Sequence, residues 1–138
     1  MADLSSYSVG MNAETGAILT GWDHVLQSLN VIFTTNFGER VMREWFGSAV
    51  PAILGQNLDE PTVMRYFSAV ASAIDVWEPR VRVKRFVPRS VGRDGKFRLE
   101  MVLEYRPRAL TGDFTVEGAR TVGLAGDAGA LIIERTAA

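Results

Sequence analysis

Apolar residues recur at Trp22, Val25, Leu26, Leu29, Ile32 and Phe33, and intervals of three and four place them on one face of a helix. The stretch Thr20-Gly21-Trp22-Asp23 opens it, with Thr20 as N-cap and Asp23 closing a capping box. His24, Gln27, Ser28 and Asn30 fall on the opposite face, which makes His24 a solvated surface residue by default. The helix is expected to end at Thr34-Thr35, with Asn36 to Gly38 as its stop signal. A second stripe, Val63, Phe67, Val70, Ile74 and Trp77, predicts another helix, widened by Met64 and Ala71. Pro61 suits its first position, preceded by Glu60 or Asp59. Between the helices, Gly38 to Gly47 reads as an ordered loop with room for one short extended segment. Ser48 then caps a brief helical turn through Pro51 to Leu54, stopped by Gly55.

At Trp77-Glu78-Pro79-Arg80 the period changes. Pro79 disfavours helical backbone at Glu78 and has no N–H, so the second helix must stop. Val81 and Val83 then alternate with Arg80, Arg82 and Lys84, and Arg85-Phe86 breaks the phase, a sign of a bulge or a strand end. After a turn at Gly92-Arg93-Asp94-Gly95, residues Phe97, Leu99, Met101, Leu103 and Tyr105 alternate with polar neighbours, which predicts an antiparallel hairpin ended by Pro107. Phe114 to Val116 and Arg120 to Val122 are weaker strand signals around Gly118. Gly123 to Gly129, with three glycines, reads as flexible. Leu131-Ile132-Ile133 is either a last strand or a tail that docks elsewhere. At the other end, Met1 to Gly10 reads as a mobile or partner-ordered arm, Asn12 to Gly16 as a turn and Ala17 to Leu19 as a short extended piece.

The pattern predicts an α+β domain: two main helices packed on a small antiparallel sheet, consisting of the hairpin and one candidate further strand. Residues 1–12 are expected as an N-terminal arm, 13–122 as the domain, and 123–138 as a flexible or partner-docked segment. A sheet this small leaves open edges, which must be covered or used.

Composition narrows the function. With 138 residues, 47% of them hydrophobic, the chain can bury a core as one domain. Cysteine is absent and histidine occurs once, so disulfides, thiolate metal sites and multi-histidine metal sites are excluded. No cofactor-binding motif is present, neither Gly-x-Gly-x-x-Gly nor a phosphate-binding loop, and no nucleophile motif such as Gly-x-Ser-x-Gly occurs. No apolar run is long enough to span a membrane, and the first ten residues lack a signal-peptide pattern, so synthesis in the cytoplasm is expected.

Charge is unevenly spread. Residues 1–79 carry 3 basic and 9 acidic residues, residues 80–108 carry 10 and 3, and residues 109–138 carry 2 and 4. The basic block fits either an anionic partner or solvated arginines on strands. Nucleic acid is disfavoured because Glu100 and Glu104 interrupt the face of Arg80, Arg82, Lys84, Arg98 and Arg106, and no aromatic lies among them for stacking. Glu39, Glu44 and Glu78 could serve as paired carboxylates of a muramidase-like enzyme, but so small a domain has little room for a sugar-sized cleft. Trp22 and Trp77 lie on core stripes; Trp45-Phe46 sits in a loop, with core anchoring as the default and an interface as the alternative. Asp75 and Glu78 occupy the negative end of the second helix, where acids are disfavoured. Arg80 or a basic partner must compensate Glu78.

The order of these pieces resembles the phage baseplate wedge family of contractile tails, the W-type or gene-25-like proteins once labelled lysozyme-like, with relatives in type VI secretion and contractile bacteriocins. The resemblance spans Thr15 to Tyr105. It rests on Ile32-Phe33-Thr34-Thr35, Gly38-Glu39-Arg40-Val41-Met42, Phe46-Gly47-Ser48, then Ala73 through Arg80, then the hairpin. It implies a non-enzymatic structural subunit in the virion tail baseplate, in six copies, bound to other wedge proteins and to the tail sheath, with the tail tube or hub as a further contact. By resemblance, Glu78, Pro79 and Arg80 contact the wedge bundle, and the hairpin exchanges strands with sheath arms. Glu39, Arg40 and Trp45, with Arg82 and Lys84 of the hairpin, complete the residues expected to meet other proteins. On this reading Glu78→Ala or Arg80→Ala leaves the isolated domain folded and blocks assembly. A muramidase, or a nucleic-acid or regulatory adaptor on the same fold, is the alternative.

Overall fold

The computed structural model describes residues 9–54, 56, 59–92, 96–127 and 130–135. Two short strands, β1 (Val9–Met11) and β2 (Ile18–Thr20), form an antiparallel ribbon ahead of α1 (Gly21–Thr34). A brief α2 (Val50–Leu54) and the long α3 (Glu60–Trp77) follow. Strands β3 (Val81–Val91), β4 (Phe97–Tyr105), β5 (Gly118–Asp127) and β6 (Ala130–Arg135) form one antiparallel sheet in sequence order. The α+β expectation holds, with four strands rather than two or three.

The helices lie on one face of the sheet. Val25, Leu29, Ile32 and Phe33 of α1 and Val70 and Ile74 of α3 meet Leu99, Met101 and Leu103 of β4 and Val122 and Leu124 of β5. The stripe on α3 is rotated from the expected one: Thr62, Tyr66, Val70, Ala73 and Ile74 are buried, whereas Met64 is exposed. Tyr66 stacks edge-on against Phe97, and burial pushes its phenol up. Phe67 stacks flat on Phe86 at 4.6 Å, fastening α3 to β3.

Several ends behave as the sequence reads. Asn12 Oδ1 accepts from the amides of Glu14 and Thr15, closing the turn before β2. Asp59 caps α3 by accepting from Thr62 N at 2.9 Å, with Pro61 in the first turn. Ser48 Oγ accepts from Val50 N ahead of α2 and donates to Ile32 O at 3.0 Å. The start of α1 departs from the expected capping box: Thr20 is extended and makes no side-chain cap bond. The break at Arg85-Phe86 is a bulge, since the pairing of β3 with β4 shifts between Val83 and Arg85.

The C-terminal third differs more. Phe114 to Val116 is not a strand. The glycine-rich stretch expected to be flexible is ordered as β5 up to Asp127, paired on both sides. Gly126 answers a packing need: a Cβ there would collide with the Phe97 ring. β5 runs through position 122 without a break, and Leu131 to Ile133 pairs with β5 of its own chain. Within 123–138, residues 128–129 and 136–138 lie outside the described residues, as do most of the expected arm (1–8) and residues 93–95 of the hairpin turn.

Hydrogen bonds hold four carboxylates, one exposed and three half-buried, below their ordinary values. The donors are Thr62 for Asp59, Arg89 for Glu100, Lys84 for Glu104 and Thr115 for Asp113. A depressed folded value means that the stabilisation is complete above the ordinary values of 3.8 for aspartate and 4.5 for glutamate and is lost as pH falls through the lowered ones. The contribution of these four carboxylates to the thermal midpoint is therefore expected to be flat from neutral pH down to the upper edge of that range and to fall below it. An Arg89→Ala variant should therefore differ from the natural protein at neutral pH and converge with it below this range; a difference that grows on acidification would contradict this.

Candidate protein interface

α3 ends at Glu78, whose amide donates to Ile74 O at 2.9 Å. Pro79 and Arg80 turn the chain, and Val81 N donates back to Glu78 O. This tight turn folds the Glu78 side chain toward Arg80. Arg80 Nε donates to Glu78 Oε1 at 2.6 Å and Nη2 to Oε2 at 2.7 Å, a two-pronged ion pair. Glu78 is 2% exposed and Arg80 5%. The acid that is misplaced for the helix dipole is thus balanced within its own chain, through the first of the two routes the sequence allows. Two partner-facing residues of the sequence reading have almost no surface to offer: charge is legible in a sequence, but depth is not. The expectation that Glu78→Ala leaves the domain folded no longer follows.

The pair is enclosed from both sides. Arg80 Nη1 lies 3.0 Å from His24 Nδ1. Guanidinium only donates, so this nitrogen accepts and the ring proton resides on Nε2. Gly10 of β1 covers the other edge of the ring, where a Cβ would stand 2.3 Å from Nε2. Gln27 pins this ribbon, donating to Met11 O and accepting from Ala13 N. His24 is therefore partly buried, not a solvated surface residue; the β1–β2 ribbon covers the face that the helical pattern marks as polar. On the strand side, Arg106 donates from Nη2 to Pro79 O at 3.2 Å and from its amide to Arg80 O at 2.7 Å.

A second surface flanks the junction. Trp77 Nε1 donates to Gly47 O at 3.0 Å, and its ring packs on Phe46 at 4.9 Å. Arg40 and Arg43 lie over the Phe46 ring. Glu39 accepts from Asn36 N, which stiffens the loop. Trp45 and Phe46 divide the two roles expected of them: Phe46 is buried, and Trp45 is 64% exposed. Trp45 and Phe37 wall an apolar groove of about 460 Å³ whose floor is Ser68, Ala69, Ser72 and Ala73 of α3.

The third surface is the sheet edge at β3. The amide bond from Arg106 to Arg80 makes residues 80 and 106 a bonded pair. Alternation then turns the backbone N–H and C=O of Val83, and beyond the bulge those of Phe86, away from β4. Pro88 falls in the same phase, where its missing N–H costs no ladder bond. The bulge, Pro88 and the exposed Arg82, Lys84, Arg85 and Arg89 blunt this edge against indiscriminate pairing. The basic block is partly neutralised by its neighbour strand: Lys84 pairs with Glu104 at 3.0 Å and Arg89 with Glu100 at 2.7 Å. Among the described residues, no cluster of three or more His, Asp or Glu could hold a metal ion, and no helix is long and apolar enough to cross a membrane. Glu78, bound at both oxygens, is ill placed as a glycosidase acid, and Glu39 is engaged in its loop.

Comparisons agree with this architecture. The chain is 34% identical over 73 residues to baseplate protein W of Escherichia phage P2, a match covering 53% of this chain and 64% of that protein's own length. It superposes on a chain of the postcontracted pyocin R2 baseplate with a TM-score of 0.63 and 28% identity, covering 71% of this chain and 98% of the other. A Geobacter sulfurreducens protein named as a candidate tail lysozyme shares the fold, with a TM-score of 0.56, 20% identity and coverage of 88% and 97%. The family model described as baseplate wedge protein gp25 matches residues 20–110, from the start of α1 to the turn after β4, and the chain belongs to that family.

Proposed function

We propose that this chain is a structural, non-enzymatic subunit of a contractile-tail baseplate. In this reading six copies surround the tail tube, other wedge proteins hold each copy, and the β3 edge receives an extended arm of the first sheath ring. The edge at β3 carries the reading: of the two end strands of the sheet, β3 and the shorter β6, it is the eleven-residue one, with outward N–H groups at Val83 and Phe86. The loop bearing Glu39, Arg40 and Trp45, together with Pro79 at the junction, supplies the face toward the wedge proteins. Glu78 and Arg80 act by fixing the angle between α3 and β3, so that both faces are presented together.

Val83→Pro tests the edge. The amide at 83 makes no bond to β4, so the monomer is expected to fold with a small loss of stability. In cells producing the particle, baseplates are expected to contain the variant and to lack sheath. Normal sheathed tails would refute the proposal.

A further inference from the structure

We infer that the segment added at β3 alternates acidic and aliphatic side chains and is anchored by an aliphatic tip beside Pro88. This rests on the proposed strand addition and specifies its partner.

The register dictates the alternation. Arg82 and Arg85 pair with Glu104 and Val102, so they share the outer face of the sheet. Val83, Phe86 and Pro88 pair with Leu103, Met101 and Leu99, on the face toward the helices. A strand laid along β3 inherits both faces. Its outward residues stand beside exposed Arg82, Lys84 and Arg85, which favours Asp or Glu. Its inward residues meet the half-buried flank of Phe86, Phe67 and Val63. There α3 and the strands leave a slot, lined by Val63, Tyr66, Phe67, Pro88, Arg98 and Leu99, whose open surface is apolar. It has room for the centre of a single water-sized group, about 10 Å³, so it receives the tip of a Leu, Ile or Val and not an aromatic ring. Beyond the slot, Pro88 offers no donor, which ends the ladder and sets the register of the anchor. Backbone bonds at Val83 and Phe86 would then give affinity, while the slot and the arginines give selectivity.

The test uses the full chain and capped seven-residue peptides, read by amide chemical-shift changes along β3 and by fluorescence anisotropy. The parent peptide alternates Glu and Leu. It is expected to bind, to lose about tenfold in affinity when the Leu residues become Ser, to weaken when Glu becomes Lys, and to fail when alternate amides are N-methylated. In Val63→Trp, which fills the slot, the Leu and Ser peptides are expected to bind alike. Equal binding of Leu and Ser peptides to the natural chain, with the N-methylated peptide silent, would overturn the slot and leave strand addition standing. Equal binding of the N-methylated peptide, or binding of none, would overturn strand addition and this inference with it. Retention of the tenfold preference in Val63→Trp would also overturn the slot. Self-association through the same edge, seen by sedimentation and lost in Val83→Pro, would assign the edge to a second copy and refute the inference.

Discussion

Glu78→Ala is expected to destabilise the domain by about 3–5 kcal/mol, because it strands a buried guanidinium without its counter-charge. For a chain of this size that corresponds to a fall of roughly 10 °C or more in Tm. Arg80→Ala should behave similarly, leaving the Glu78 carboxylate 2% exposed with its two strongest donors gone. The double alanine variant should lose less than the sum of the two, since the partners share one interaction. Thermal melts of the four proteins check this, and strict additivity would argue against the pair. The consequence for function is direct. Assembly defects in single alanine variants confuse folding with contact. Replacing both residues by Met removes the charges without stranding either and is expected to be near neutral for stability. If that folded variant still builds baseplates, the motif acts by shaping the junction; if it folds and fails to assemble, the motif meets a partner.

Gly47→Ala is expected to cost about 2–6 kcal/mol, from two sources that add. The backbone at 47 has φ 139°, a region L residues avoid at a cost of about 1–3 kcal/mol. The new methyl would also lie 2.8 Å from the backbone carbonyls of Thr35 and Asn36, which are held by the bond from Ser48 N to Thr35 O. Backbone cannot swing aside as a side-chain tip can, so overpacking adds about 1–3 kcal/mol. Because Gly47 O accepts from Trp77, strain here should also loosen the end of α3. Reduced hydrogen-exchange protection at Trp77 and Glu78, alongside a lower melting point, checks both parts. A melting point within a degree or two of the natural protein would contradict the steric argument.

These two sites also mark where a sequence can and cannot be read. α1, α3 and the β3–β4 hairpin are legible because each buries one face over several turns or rungs, so periodicity survives individual exceptions. Even so, the stripe on α3 is displaced, since Thr62 and Tyr66 are buried while Met64 is not, and hydropathy alone ranks them in reverse. β5 is legible only at Arg120 to Val122; its second half is not, because a glycine chosen to fit under Phe97 looks the same in sequence as a glycine chosen for flexibility. His24 is misread because the ribbon covering it comes from residues 9–20, outside the helix that defines its face. At the Glu78-Pro79-Arg80 junction the sequence shows the conflict with the helix dipole and the two routes to resolve it; the fold selects the internal one. Pro88 carries meaning only once the register is known: it marks the unpaired side of β3.

The most direct test of the account is a cryo-EM reconstruction of the extended particle's baseplate, read at the β3 edge of this chain. Six copies are expected, each with a sheath segment paired antiparallel or parallel to Val83–Phe86 and ending at Pro88. A baseplate in which β3 faces solvent, or in which the sheath contacts the chain elsewhere, would contradict it.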